Sequence, residues 1–342
     1  MKINVLLPHL RIAGGVRIAL MYATLLQERG HNVEIYVRSS NPFRRAVANI
    51  FQLGGPSWIP NFLPRVTRVP FLTEAYIRNA DITIATTADT ALLLEEYGPE
   101  KGKPVYLLQH DEGLYHVARE LADRAYRTRA RKIVVSTWLK GLLKENHEQS
   151  SDLLINPIDL RQFHRVPTVR DDATVRVLLL HHTYEWKGTE EGVAAIQAVK
   201  EKHPEVRLIM FGVREPKEVG ARHDEYHFNV PQDKLKELYS GADIYLCPSW
   251  DEGFGLPSIE AMACGLALVT YDNGGSRDYA FHERTALVAR RRDTTDLTEQ
   301  LMRAVEDVKL RIELAEKGRV YVTTLPGWEE RVSELEAMLK KI

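Results

Sequence analysis

In the stretch SWDEGFGLPSIEAMACG, two glutamates, Glu252 and Glu260, flank a Gly-Phe-Gly-Leu-Pro turn. Carboxylates held that way can bind a polar ligand through charge-assisted hydrogen bonds. Lys187, followed by Gly188 in LLLHHTYEWKGTEEG, puts an ammonium near the head of a helix, where it and the positive end of the dipole can neutralise a diphosphate. Gly14 and Gly15 open the first helix of the chain; their N–H groups either take a phosphate or serve only a tight turn. Gly274 and Gly275, in TYDNGGSRD, offer another backbone-lined anion pocket, and His110 ends a strand in YLLQHDEGLYH. His181 and His182 lack the spacing of a metal-ligand pair. No Asp-x-Asp occurs, so a carboxylate-held metal diphosphate has no sequence support; neither metal nor cofactor is expected.

These residues need elements to place them. Pro257 suits the first turn of a helix over 257–263, and the apolar run 242–249 before it reads as a buried parallel strand. Glu252 then lies in the loop after the strand's carboxyl end and Glu260 one turn into the helix, on the rim where open α/β sheets bind ligands. A first alternating set predicts strands over 2–8, 32–37, 82–85, 104–108 and 132–135, with helices over 16–29, 87–95, 115–130 and 138–144. Five prolines break the pattern over 41–70, where no element is assigned, and 156–173 reads as a linker. The second set predicts strands over 175–180, 206–211, 243–247, 267–271 and 286–288, and helices over 190–200, 233–239 and 257–263. The tail, 293–342, reads as helical except at 325–327, with a last helix from about Trp328.

A chain of 342 residues exceeds one ordinary core and predicts two α/β domains with a cleft between them. Lys+Arg 46 against Asp+Glu 47 gives a net charge of -1, which argues against a nucleic-acid partner. The apolar run at 3–7 is too short for a signal peptide or a membrane span, so a cytoplasmic location is expected. The two cysteines, Cys247 and Cys264, sit in apolar contexts and read as small buried hydrophobes. The full Gly-x-Gly-x-x-Gly spacing is missing and strand 32–37 ends at Arg38 without a ribose-binding acid, which counts against an NAD-dependent oxidoreductase. Over 41–65, Arg44, Arg45 and Arg65 interleave with Phe43, Phe51, Trp58 and Phe62. Those aromatics either pack inward or rest on an anionic membrane surface.

PSWDEGFGLPSIEAMACGLALVTYDNGGSRDY resembles the glutamate, seven residues, glutamate signature and downstream Gly-Gly of a large retaining glycosyltransferase family, family 4 or glycosyl transferases group 1. GGVRIALMYATLLQERGHNVEIY is similar to its opening Gly-Gly helix, VVSTWLKGLL to its pre-linker helix, NPIDLRQF to its linker and EWKGTEEGVAAI to its Lys-Gly phosphate loop. The resemblance implies the GT-B fold, two Rossmann-like doubly wound domains facing each other across a cleft. Residues 1–165, joined by the C-terminal helix 327–342, would be the acceptor side, and 166–326 the nucleotide-sugar domain.

By the same resemblance Glu252, Lys187 and His110 are the catalytic positions, and Gly14, Gly15, His182, Lys187, Glu252, Gly253, Phe254, Gly255, Leu256 and Glu260 hold the donor. Glu260 would bind the nucleotide ribose, Glu252 with the 253–255 N–H groups the sugar, and Lys187 with the Gly14–Gly15 turn the diphosphate; His110 would lie near the sugar. The family's usual second diphosphate cation, an arginine five residues before the lysine, is replaced by His182, which at an ordinary pKa near ~6.5 carries a fraction of a charge at neutral pH. The implied activity is metal-independent, retaining transfer of a sugar from a nucleoside diphosphate to a glycan or lipid-linked acceptor in glycoconjugate synthesis. It is placed in the cytoplasm, with peripheral contact at the inner face of the membrane. A sugar-nucleotide epimerase, or a donor-binding relative without catalysis, are the alternatives; product formed without an acceptor, or binding without turnover, distinguishes them.

Overall fold

The computed structural model describes residues 1–52, 55–59, 61–168, 173–215 and 222–342, and the chain divides into two units. The first is Met1–Asn156 with Glu329–Ile342, the second Pro157–Trp328. The boundary thus falls before residue 157 rather than after 165. The reason is burial, because Ile158 and Phe163 already belong to the second core, Phe163 edge-on to Tyr239 at 6.2 Å between ring centroids. Of the expected linker, 169–172 lies outside the described residues.

Among the described residues, the first unit holds seven parallel strands: β1 (Lys2–Leu7), β2 (Asn32–Arg38), β3 (Arg65–Val69), β4 (Ile82–Ala85), β5 (Lys103–Leu108), β6 (Arg131–Val134) and β7 (Asp152–Leu153). Their spatial order is β3-β2-β1-β4-β5-β6-β7. The chain builds outward from β1 to β3 and then returns to pair β4 with the free edge of β1, so the strand order reverses between those two. Central strands covered on both faces need continuous apolar sequence, and β1 from Ile3 onward is buried throughout. Helix α1 (Gly14–Glu28) buries Val16, Ile18, Leu20 and Leu26.

The unassigned stretch contains α2 (Pro42–Ile50) and the edge strand β3. Pro42 sits at the helix start, where its missing N–H costs nothing, and Asn41 caps it by accepting the Arg44 N–H at 2.9 Å. Helices α3 (Ala88–Leu93), α4 (Arg119–Tyr126) and α5 (Thr137–His147) follow. The helix expected over 115–130 is shorter because 110–118 is a loop held by buried side chains.

In the second unit β8 (Val175–Leu180), β9 (Val206–Gly212), β10 (Glu225–Phe228), β11 (Ile244–Cys247), β12 (Ala267–Tyr271) and β13 (Ala286–Ala289) form a parallel sheet ordered β10-β9-β8-β11-β12-β13. Here the reversal lies between β8 and β11, paired from Ile244 opposite Val177 onward. β10 escaped the apolar pattern because EYHF is a partly exposed edge strand. Helices α6 (Thr189–Lys202), α7 (Leu235–Ser240), α8 (Leu256–Ala263), α9 (Thr294–Glu306) and α10 (Val308–Thr323) complete the unit. The tail has a break that was not expected, at Asp307, whose side chain accepts the Leu310 N–H at 2.9 Å and starts α10. The last helix, α11 (Trp328–Lys340), belongs mainly to the first unit, where Val332, Leu335 and Leu339 are buried and Arg29 pairs with Glu329 and Glu336. Among the described residues no helix is long and apolar enough to cross a membrane.

Candidate functional site

Strands β8 and β11 are neighbours at the point of reversal, so the loops leaving their carboxyl ends emerge side by side. Gly188 makes the close approach possible: its φ is +63°, and a Cβ there would lie 2.1 Å from the Pro248 carbonyl oxygen. The Trp250 N–H donates to the Trp186 carbonyl at 2.8 Å, tying the two loops together. Lys187 and Glu252 consequently meet: Nζ donates to Oε1 at 2.6 Å, with the side chains 22% and 12% exposed. One rim thus carries a cation suited to an anion and a carboxylate suited to hydroxyl groups.

The Glu252 loop is anchored from below. The Glu252 N–H donates to the Asn273 carbonyl at 2.9 Å, and the Gly275 N–H donates to the Glu252 carbonyl at 3.1 Å. A Cβ on Gly275 would lie 2.6 Å from the Phe254 nitrogen. The Gly274–Gly275 turn is therefore a packing surface for this loop, not the anion pocket expected from sequence. Gly255 (φ +90°) packs on the Tyr279 hydroxyl, which donates to the carbonyls of Phe254 and Gly255 at 2.8 and 3.0 Å. Phe254 and Leu256 are buried, Phe254 edge-on to Tyr279, so their side chains serve the core and only their backbone faces a ligand role. Among the described residues the N–H groups of Gly253, Phe254, Gly255 and Leu256, at the head of α8, have no acceptor in the chain. Glu260 is buried one turn further on, its Oε2 accepting the Tyr239 hydroxyl at 3.2 Å.

His182 differs from expectation. Burial, then the Lys187 ammonium, lowers its pKa to about 4, so it is neutral at pH 7 and supplies no second charge. Its Nδ1 accepts the Tyr184 N–H at 3.1 Å, which leaves the proton on Nε2. His181 is buried, its Nδ1 bonded to the Tyr226 hydroxyl at 2.6 Å.

Sequence reasoning missed the residues that brace this rim. Arg291 donates to Asp251 from Nη2 at 2.6 and 2.7 Å and from Nε at 3.1 Å, Arg292 lies 3.7 Å over the Trp250 ring, and the Trp250 indole donates to Glu191 at 3.0 Å. The signal was the run Ala-Arg-Arg-Arg-Asp at 289–293, at the end of β13. Nothing local in that run points to Asp251 or Trp250; the fold brings Arg291 and Arg292 to them.

In the first unit Gly14 and Gly15 start α1, with no side-chain cap on the helix. The Gln109 amide donates to the Gly15 carbonyl at 3.0 Å, so the end of β5, with His110 next in the chain, meets the head of α1. The His110 Nδ1–H donates to the Asp111 carbonyl at 3.0 Å. Asp111 in turn takes the Arg119 guanidinium at 2.9 and 3.0 Å and the Tyr126 hydroxyl at 2.9 Å. Glu112 accepts the Tyr106 hydroxyl at 2.6 Å and the Ala88 N–H at 2.9 Å, and burial pushes its carboxyl up to about 7. These bonds fix 110–118 as a loop. Lys187, His182, Glu252 and Glu260 gather in one unit, and Gly14, Gly15 and His110 in the other.

Residues 161–321 match the family model described as glycosyl transferases group 1. The chain is 28% identical over 147 residues to the N,N'-diacetylbacillosaminyl-diphospho-undecaprenol alpha-1,3-N-acetylgalactosaminyltransferase of Campylobacter jejuni, a match covering 42% of this chain and 38% of that protein. The chain thus spans well under half the length of the curated relatives it matches. Among solved structures, the sucrose-phosphate synthase of Thermosynechococcus elongatus superposes with a TM-score of 0.79 at 17% identity, over 99% of this chain and 98% of that one. HepE of Anabaena, in complex with UDP and glucose, gives 0.78 at 14% identity over 100% of both. The fold is accordingly the GT-B fold, with a doubly wound Rossmann-like sheet in each unit.

Proposed function

We propose, from the match of residues 161–321 to the glycosyl transferases group 1 model, that the protein moves a sugar from a nucleoside diphosphate sugar to an acceptor hydroxyl. The observation that carries this reading is the Lys187–Glu252 pair at 2.6 Å, beside the acceptor-free N–H groups at the head of α8. Expelling a nucleoside diphosphate develops negative charge on the phosphates and positive charge at the anomeric carbon, so preorganised cations and amides are the catalytic requirement. Lys187 takes the diphosphate. Glu252, released from the ammonium as the phosphates arrive, takes sugar hydroxyls together with the 253–256 N–H groups, and Glu260 takes the ribose. His182, neutral, offers its Nε2–H to a phosphate oxygen as an uncharged donor.

From the first unit, Gly14–Gly15 and His110 are assigned to the diphosphate and the sugar on the resemblance of their sequence. No side chain is needed as a nucleophile. The acceptor attacks the face that the diphosphate leaves, the configuration is retained, a phosphate oxygen takes the proton, and no metal is required. The acceptor is a glycan or a lipid-linked molecule at the inner face of a membrane, in polysaccharide, glycolipid or other glycoconjugate synthesis. The Campylobacter relative, a transferase acting on a diphospho-undecaprenol compound by its name, and the UDP complex of HepE support the class of donor and acceptor.

The test is a panel of nucleotide sugars in a thermal-shift assay, since a ligand at 100 times its dissociation constant adds ~2.7 kcal/mol. The stabilising donor is then incubated alone and with acceptors. Transfer, or slow donor hydrolysis, supports the reading; an isomerised sugar without acceptor makes the protein an epimerase. Stabilisation by no member of the panel overturns it.

A further inference from the structure

Helix α2 is turned inside out. Its residues at one helical face, Phe43, Val47, Ile50 and the following Phe51, recur at i, i+4, i+7 and i+8, the spacing of a core-facing stripe. Yet Phe43, Ile50 and Phe51 are 76%, 73% and 67% exposed, Val47 is only half-buried, and the helix buries no residue. The side toward the sheet is polar: Asn49 exchanges two hydrogen bonds with the Arg68 backbone of β3, both at 2.8 Å, and Arg45 donates to the Ser39 carbonyl at 2.9 Å. Polar bonds hold the helix to the body while its apolar side faces solvent.

Along the sequence the charge here is one-sided, although Arg65 pairs with Glu34 at 3.8 Å. From Glu34 to Glu74 the chain has no acidic residue in between, but it has Arg38, Arg44, Arg45, Arg65 and Arg68. Arg44 is exposed on α2 at the border of the stripe. Two copies meeting through this face would bring like charges together, which costs affinity. An anionic lipid surface meets both needs, accepting the aromatic and aliphatic side chains at the headgroup boundary and the guanidinium groups at its phosphates.

We propose that the solvent-facing stripe of α2, with Arg44 beside it, docks the first unit on an anionic bilayer. This deepens the membrane contact named with the acceptor above, and it draws on nothing in the donor site. Vesicle binding is therefore read without nucleotide sugar, and either idea can fail alone.

The whole chain is sedimented with phosphatidylcholine vesicles and with vesicles containing phosphatidylglycerol, at low salt and at ~1 M salt, where screening acts within ~3 Å. Three proteins are compared: wild type, Arg44→Glu, and a Phe43→Ser, Ile50→Ser, Phe51→Ser triple variant. The substituted side chains are exposed, so unchanged thermal unfolding checks the fold. The expected result is binding by wild type to the anionic vesicles at low salt only, weakened at least ~10-fold by Arg44→Glu and more by the triple variant. Equal sedimentation with and without anionic vesicles overturns the proposal. So does a triple variant that binds like wild type, or a wild-type dimer that the triple variant alone dissociates, which would make the face a contact between copies.

Discussion

Lys187 and Glu252, 65 positions apart in sequence, are joined by a 2.6 Å hydrogen bond from ammonium to carboxylate. Each is the other's partner in the structure, and each has a different proposed task once a donor binds. Both are mostly shielded from water, so the pair is screened less than a surface ion pair.

Lys187→Ala is expected to lower turnover by at least ~10²-fold, the scale for one preorganised group that stabilises transition-state charge. Because the variant also strips Glu252 of its partner, the Lys187→Ala, Glu252→Gln double variant should lose less than the sum of the two. Steady-state kinetics with the donor found by thermal shift decides the matter. Wild-type turnover in Lys187→Ala would detach the ammonium from the leaving group.

Glu260→Ala should act on binding. A charged hydrogen bond to the ribose, present in ground and transition states alike, is worth ~1.5–3 kcal/mol, so the donor KM rises while kcat stays near wild type. Tyr239→Phe, which removes a bond that orients Glu260, should move KM the same way by less. A fall in kcat at constant KM would place Glu260 in the chemical step.

The low pKa of His182, about 4 against 6.5 when exposed, links it to stability at acid pH. Between those values the unfolded chain binds more protons, so the contribution is present above ~6.5 and is lost as pH falls toward 4. His182→Gln should flatten this acid limb, seen as a smaller drop in Tm between pH 6.5 and 4.5. His182→Arg puts a permanent charge beside Lys187. Without ligand its Tm should fall, and a nucleoside diphosphate should restore more stability than it adds to wild type, with turnover held or raised. A variant that binds no diphosphate would remove this loop from the phosphate site.

Gly188→Ala combines a left-handed backbone with a Cβ placed 2.1 Å from the Pro248 carbonyl oxygen. A loss of at least ~2 kcal/mol in urea unfolding is expected, together with weaker donor binding as Lys187 shifts. Gly30→Ala is the control. Its φ is +85° but nothing lies within 4 Å, so it should cost only the backbone strain, ~1–2 kcal/mol, and leave donor binding alone.

Transfer should persist in EDTA, because Lys187 and the α8 N–H groups are proposed to hold the diphosphate without a metal. Loss of activity in EDTA that Mg²⁺ or Mn²⁺ restores would refute that part of the reading.

What the sequence determined by itself was the alternation of strand and helix and the residues that could do chemistry. Strands of a parallel sheet are covered on both faces, so runs such as Ile244–Cys247 and Ala267–Tyr271 are apolar throughout and legible without a partner. Glu252, Glu260 and Lys187 stood out because each follows a strand end and adjoins a helix start, a local property. Tertiary structure decided the rest. Lys187 meets Glu252 only because β8 and β11 become neighbours where the strand order reverses. His182 loses its charge chiefly through burial, with the Lys187 ammonium five residues on adding to it, and the Gly274–Gly275 turn is filled by the Glu252–Phe254 loop, which does not adjoin it in sequence. For α2 the prolines around it masked the helix, and periodicity could not have told which way its apolar stripe turns. Spacing shows that apolar side chains share a face, while the side on which the body of the protein lies is set by the contacts of Asn49 and Arg45 with the chain around β3.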